Sequence, residues 1–456
     1  MSHPVQLAGS VRPQRIAVVG SGIAGLATAW LLGREHQVTL FERDLRLGGH
    51  SNTVEVEDHG RRVAVDTGFI VYNELNYPHL TGMFTTLGVP TQDSDMSFAA
   101  SVDGVEYAGD SLATLFAQHR RLLDPTHWRM LIDIARFNRD ARQALAAGTL
   151  GQRSLGEFLD AGGYSAALRE RYLLPMGGAI WSCPTRTMLD FPAASFLRFL
   201  DNHHLLAVDG RPRWRTVTGG AREYTRRLLE QAKRSAQPLA VQRGSAVTRV
   251  ARVAGGVELT LGAERGLRFD QVVLAGHAPD MLALLADPTG PERELLGAFR
   301  YQRNRAVLHR DASLMPKLRR AWSSWTYAAA PAGDAGARIA VTYWMNRLQR
   351  LPTPTDWFVS LNPTVEPAAD SVAFACDYDH PVFSSAAIDA QRKLGRIQGR
   401  DRLWFAGAWT GYGFHEDGLR SAVEVAAAFG IAPPWAGAAS AAVAVAPRAA
   451  AVGGAR

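Results

Sequence analysis

Three glycines at fixed spacing, Gly20, Gly22 and Gly25 of GSGIAG, follow the apolar run RIAVVG (Arg15 to Gly20). Each spacing has its own task in dinucleotide binding. Gly20 permits the tight turn out of a strand, Gly22 lets a pyrophosphate approach backbone N–H groups, and Gly25 lets helix and strand pack closely. Ser21, Ile23 and Ala24 complete that cradle. Glu42 follows Gly20 by about 20 residues, where a carboxylate accepts hydrogen bonds from ribose hydroxyls, with Arg43 beside it.

The elements that must position these groups are legible around them. Ile23, Leu26, Ala27, Trp30 and Leu31 keep the 3.6-residue period and predict a helix that buries one face. QVTLFER (Gln37 to Arg43) predicts the second strand of a βαβ unit. RLGGH then places Gly48, Gly49 and His50, and VAVDTGF predicts a strand ending in Asp66, Thr67, Gly68 and Phe69. Far downstream, LWFAG predicts a short strand ending at Gly407, and GYGFHEDGLRSAVEVAAAFG opens a helix at Asp417, Gly418 and Leu419. VTRV, GVELTL and FDQVVLAG predict further strands, bringing Val247 and Ala275 to the list.

Candidates for reactive groups are fewer. Tyr412, His415 and Glu416 precede the late helix, and His203 and His204 stand in the apolar setting DNHHLL, where neutral imidazole can shuttle protons. Trp181, Cys183 and Pro184 read as pocket wall. Cys183 and Cys376 are the two cysteines, too few for a disulfide framework or a metal centre, so no metal is expected and a reducing cytoplasm is. The formal charge of +7 comes from arginines scattered through the chain, lysine occurring only at 233, 317 and 393. That scatter reads first as a compositional bias toward arginine and second as a moderately positive surface that favours docking on anionic lipid, at the inner membrane; nucleic acid binding has no motif. No apolar run reaches the ~20 residues of a spanning helix, and MSHPVQLAGSVRPQR has no signal-peptide core.

The order of the glycine loop, Gly48-Gly49, Asp66-Thr67-Gly68 and the late FAG resembles the FAD-binding half of the flavin amine oxidase and phytoene desaturase superfamily. The resemblance implies an α/β fold, a doubly wound, Rossmann-like FAD-binding domain of the GR2/amine-oxidase type, with an inserted α+β substrate domain and non-covalent FAD. It implies that Gly48 and Gly49 lie near the pyrophosphate, that the Asp66 segment lies near the flavin, that Val247 meets the adenine, and that the late helix points its N-terminus at the flavin edge. The expected FAD domain is discontinuous, 13–75, 216–285 and 399–432. The substrate domain is 76–215, largely helical, and 286–398, where RNRAVLHR and RIAVTYWMN read as strands. PTHWRMLIDIARFNRDARQALAAG (Pro125 to Gly148) predicts a helix amphipathic through Trp128, Leu131, Ile132 and Ala135, Ser154 with Glu157 a capping box, and 436–456 a disordered alanine-rich tail.

A narrower resemblance rests on YLLPMGGAIWSCP, NHHLL, GRPRW, GYGFHEDGL, DMSFA and LHRDASLMP. These are similar to the N-terminal flavoprotein domain of plant cyclopropane fatty acid synthases, as a free-standing bacterial-type version without the methyltransferase half. The resemblance implies oxidation or desaturation of an unsaturated, methylated or cyclopropane acyl chain by hydride transfer to flavin N5, with a fatty-acid synthase of that kind as a partner. Two other readings stay open: an amine oxidase, and a flavin-binding accessory subunit without turnover. Against amine oxidation, the glutamate those enzymes carry after the late FAG is Ala408 here, and their Ser-Gly-Gly-Cys motif is missing. LDFPAASFLRFLDNHHLL (Leu189 to Leu206) is apolar enough for either an internal helix or the lining of an acyl tunnel.

Overall fold

The computed structural model describes residues 12–181, 188–206, 212–262, 266–328 and 340–439. Its centre is a five-stranded parallel sheet. β1 (Arg15–Val19) lies between β2 (Gln37–Phe41) and Gln271–Leu274, with Ala240–Gln242 outside β2 and Leu403–Phe405 outside Gln271–Leu274. Both faces are covered, which is why the strands are near-continuous apolar runs. α1 (Ile23–Leu32) is buried at all ten positions, which corrects the one-sided helix expected from its period. Helices Arg222–Lys233 and His415–Ala428 enclose it, and Trp435 stacks on Trp30 with ring centroids 5.8 Å apart. On the opposite face, Val247–Val253, Gly256–Leu261 and Leu267–Phe269 form an antiparallel ribbon packed on β1 and Gln271–Leu274.

A second, seven-stranded sheet faces this unit, in the order Val372–Val382, Arg300–His309, Phe358–Leu361, Ala340–Trp344, Trp325–Ala328, Phe98–Val102, Val105–Ala108. Trp325–Ala328 pairs parallel to Phe98–Val102, and the other neighbours run antiparallel. Helices Pro125–Ala147, Leu155–Ala161, Leu174–Trp181 and Ala193–Asn202 share a core with Ala100, Tyr107, Trp325 and Val341 of the sheet.

Several sequence expectations change here. The stretch 76–215 contains α2 (Pro78–Leu87) and the helical cap, but also strands Thr91–Ser94, Phe98–Val102 and Val105–Ala108. Asp103 and Gly104, both at positive φ (50° and 71°), make the hairpin turn between the last two. Asp-Gly between apolar runs is a hairpin signal that reading the region as helical passes over. Helix Pro125–Ala147 has the expected bounds: the Asp124 side chain accepts from Thr126 N–H at its start, and Gly148 ends it at φ 64°. Its buried face is His127, Met130, Asp133, Phe137, Asn138 and Ala141, so the stripe through Trp128 and Ile132 is not the core face. The Ser154–Glu157 capping box is present. Ala436–Ala439 adds one helical turn where tail was expected, and 440–456 lies outside the described residues. Among the described residues no helix is long and apolar enough to cross a membrane.

The segment Leu189 to Leu206 contributes a core helix, Ala193–Asn202, while its Phe199, His203 and Leu205 line a cavity. Phe196, Leu197 and Leu200 of Ala193–Asn202 have no exposed surface, and Phe191 packs edge-on against Phe196. Truncating Phe196→Ala therefore leaves a cavity that the surrounding helices cannot close, and the expected loss is about 3–5 kcal/mol of unfolding free energy, read from the denaturant midpoint. A loss below about 1 kcal/mol would show that the site collapses and that this helix is not part of the packed core.

Candidate active site

The carboxyl ends of the parallel strands open into a cavity of about 650 Å³ that also reaches the inner face of the seven-stranded sheet. α1 can begin at this mouth because of one close approach. A Cβ on Gly25 would lie 1.8 Å from the Gly20 carbonyl oxygen, and Gly20 itself turns out of β1 at φ +100°. At Gly22 the backbone is extended, no side chain caps the helix, and a Cβ would meet nothing within 4 Å. The empty space is on the cavity side, since Gly20, Ser21, Gly22, Ile23 and Ala24 all line it.

Glu42 and Arg43 also line the cavity. Glu42 is fixed at the end of β2: its Oε2 accepts from the Ser21 N–H at 2.9 Å and the Ser21 hydroxyl at 2.6 Å, and its Oε1 from the Asp44 N–H at 3.0 Å. Gly49, His50, Thr67, Gly68, Phe69, Val247, Ala275 and Gly407 join the same wall. An uncapped helix N-terminus, an open Gly22 and an anchored Glu42 on one cavity fit the pyrophosphate and ribose of FAD. FAD, when bound there, supplies a two-electron acceptor for a hydride.

Other expected residues have different work. Gly48 and Gly25 lie behind the wall. Asp66 is fully buried and accepts from Ala221 N–H at 2.9 Å and Gln349 Nε2 at 3.0 Å, its burial pushing its pKa up to about 7. It fixes the chain entering Thr67 and Phe69. Glu416 is corrected from catalytic candidate to helix cap: its carboxylate accepts from the His79 and Leu80 N–H groups, both at 2.9 Å, at the start of α2. Asp417 caps its own helix, accepting from Phe414 N–H at 3.0 Å and pairing with Arg420 at 2.8 Å. Gly418 packs against Ile23, since a Cβ there would lie 2.8 Å from the isoleucine Cγ2, and Leu419 is a core side chain. These three acids and two neighbours hold the wall rather than form it. His204, at positive φ past the end of helix Ala193–Asn202, is also off the lining. Cys183 and Pro184 lie outside the described residues.

Tyr412, His415 and His203 do line the cavity. His415 stacks on Phe69 with centroids 3.7 Å apart, and its Nε2 is 2.9 Å from the Ser51 hydroxyl. Removal from water lowers its pKa to about 3. His203 Nδ1 lies 2.9 Å from the Phe199 carbonyl. A carbonyl can only accept, so Nδ1 carries the hydrogen and Nε2 keeps its lone pair. Burial lowers this imidazole to about 4, leaving a neutral base at the wall.

The structure adds residues that the motifs did not name. His50 meets Tyr378 at 4.9 Å, His380 at 5.4 Å and His277 at 6.3 Å, and Tyr301 stacks on His277 at 4.3 Å. His277 had a signal, because it follows the end of a parallel strand, where such sheets bind ligands. His380 had none: register opposite Gln302 and a 2.7 Å contact with Asn304 bring it in.

A family model described as flavin containing amine oxidoreductase matches residues 23–307, more than half the chain. The chain belongs to the flavin-containing amine oxidoreductase family. It is accordingly an FAD-dependent oxidoreductase of that family. Over 49 residues it is 51% identical to an L-amino-acid oxidase of Pseudechis australis, a stretch that is 10% of each chain, so it spans about a tenth of the length of the curated relative it matches. Among solved structures, a CLA-producing fatty acid isomerase from P. acnes superposes with a TM-score of 0.62 at 17% identity, over 91% of this chain and 98% of that one. Cyclohexylamine oxidase from Brevibacterium oxydans IH-35A gives 0.65 at 16% identity, over 91% and 98%. These likenesses show the shared fold.

Two outcomes follow from this geometry. Gly22→Trp fills the open space without displacing backbone, so the variant should fold with an unchanged circular dichroism spectrum and purify colourless; full flavin occupancy would place the cofactor elsewhere. His203, His380 and His415 titrate near 6.5 when unfolded but at about 4, 4 and 3 when folded. Between pH about 4 and 6.5 the folded chain thus binds fewer protons than the unfolded one, and the stability it has above 6.5 falls as pH drops towards 4, by up to about 1.4 kcal/mol per unit and per histidine. Melting temperature of flavin-free protein should fall from pH about 7 to about 5, less steeply in His415→Asn. Equal slopes would mean that His415 is not held neutral.

Proposed function

We propose that this FAD-dependent enzyme oxidises or desaturates a fatty acyl chain. The observation that carries the reading is the wall that the substrate domain contributes to the cavity: Met96, Ile180, Phe199, Leu205, Trp325 and Phe383. A substrate ammonium placed against these six side chains loses its hydration, whereas an acyl chain gains by burial; the carboxylates that also line the cavity, Glu42, Asp44, Asp280, Asp377 and Asp379, are not among them. The position after the late FAG is Ala408, on the cavity lining, so the glutamate weighed in the sequence has no counterpart there. The resemblance to the flavoprotein domain of cyclopropane fatty acid synthases supports an acyl substrate, as does the presence of a fatty acid isomerase among proteins of the same fold.

The chain's own residues have defined parts in such a reaction. The apolar wall orients the chain and excludes water, so that a hydride leaves towards the acceptor rather than solvent. His203 offers the Nε2 lone pair for the proton lost from the neighbouring acyl carbon. His415, neutral near pH 7, holds Phe69 and Ser51 in place rather than exchanging protons.

Anaerobic mixing of the yellow protein with oleate or a cyclopropane fatty acid should bleach the flavin absorbance, and benzylamine should not. Bleaching by the amine alone would replace this reading with amine oxidation, and an absorbance unmoved by either would favour an accessory subunit. His203→Gln is expected to slow the acyl-driven bleaching by about 10²–10⁴-fold at unchanged flavin content, the usual range for loss of a positioned base.

A further inference from the structure

Of the ten large apolar side chains exposed on the described surface, five fall between positions 112 and 132: Leu112 at 75%, Leu122 at 50%, Leu123 at 89%, Trp128 at 45% and Ile132 at 60%. Single exposed leucines are ordinary; a cluster of this kind marks an interaction site. The five come from consecutive elements, the short helix Leu112–Leu115, the 3-10 turn His119–Leu123 and the first turns of helix Pro125–Ala147. They are held in place. The Trp128 indole N–H donates to the Leu122 carbonyl at 2.9 Å, and its ring lies 5.0 Å from Phe116, which is buried beneath it. Ile132 follows Trp128 by one helical turn on the same face.

Charge around the cluster has one dominant sign. Positions 112–133 carry Arg120, Arg121 and Arg129 against two carboxylates, Asp124, paired with Arg121 at 2.8 Å, and buried Asp133, paired with Arg129 at 3.3 Å. Arg320, in the 3-10 turn Arg319–Ala321, reaches His119 Nε2 at 3.0 Å, and exposed Lys317 stands on the same stretch as Arg320. Protruding leucines, a tryptophan with an anchored N–H and a basic rim are what an anionic bilayer accommodates: leucines enter the acyl boundary, the indole sits at headgroup depth, and arginines meet phosphates. A protein partner would need a matching pocket for a leucine that is 89% exposed; fluid lipid forms one around it.

We infer that the tip formed by Leu112, Leu122, Leu123, Trp128 and Ile132 docks this enzyme on anionic lipid bilayers. This goes beyond the substrate reading and does not require it, because docking is read without turnover.

The test is co-sedimentation of the holoenzyme with vesicles of phosphatidylglycerol and phosphatidylcholine, and with phosphatidylcholine alone. Wild-type protein should sediment with the anionic vesicles, less so as salt rises. The double variant Leu123→Asp, Ile132→Asp, at two well-exposed positions, should lower the partition about tenfold or more while flavin content and melting temperature stay unchanged. Arg120→Glu with Arg320→Glu should remove the preference for anionic over neutral vesicles. A wild type that sediments with neither vesicle overturns the inference, as does a double variant that binds like wild type. If gel filtration shows wild-type dimers that the double variant converts to monomers, with vesicles unbound, the tip is an interface between copies of the chain and the lipid assignment falls.

Discussion

A methyl group at position 25 would lie 1.8 Å from the carbonyl oxygen of Gly20, and that forbidden distance governs the cofactor half of the molecule. With hydrogen in its place, α1 starts directly over the end of β1 and aims its first N–H groups into the cavity. Lifting the helix by the width of a side chain would move Gly22 away from the pyrophosphate position and part Ser21 from Glu42. It would also break the packing of α1 against helix His415–Ala428, which carries the late loop with Tyr412 and His415. One absent carbon thus sets the distance between the two ends of the site.

Buried acids perform the corresponding task between segments remote in sequence. Asp66 ties the strand before Phe69 to Ala221 and Gln349, and Glu416 ties the late helix to the start of α2. Each accepts backbone or amide N–H groups that would otherwise be unpaired. Carboxylates next to a flavin helix look catalytic in a sequence because their type is right for acid–base work. Their hydrogen-bond partners assign them to holding the wall, and the neutral bases on the lining are imidazoles, those of His50, His203, His380 and His415 among them.

The βαβ unit was legible because its signals are local: glycine spacing, a strand on either side and an acid in register. Helix Pro125–Ala147 was equally plain in extent, through Asp124 and Gly148, but its orientation was not. Trp128 and Ile132 form an apolar stripe by period, yet His127, Asp133 and Asn138 face inward, where Ser165 N–H donates to Asp133 and His127 Nε2 lies 3.1 Å from the Leu115 carbonyl. Hydrophobic periodicity assumes that polar residues prefer water, and that assumption fails where tertiary partners exist. The same limit hid His380, whose place at the site depends on pairing between strands about 76 residues apart.

The parallel sheet draws its strands from widely separated stretches of the chain, and the last, Leu403–Phe405, joins after the whole seven-stranded sheet has been made. Sheets closed by such distant pairings form slowly, since loop-closure entropy is met before the contacts repay it. During synthesis the glycine loop and the helical cap emerge early, while the edge of Gln271–Leu274 stays open until the final strand leaves the ribosome. That edge is a strongly apolar, unpaired template in the nascent chain. The nascent chain therefore has a window of exposure to aggregation, before residue 403 is available, that is separate from the apolar tip at 112–132 on the finished fold.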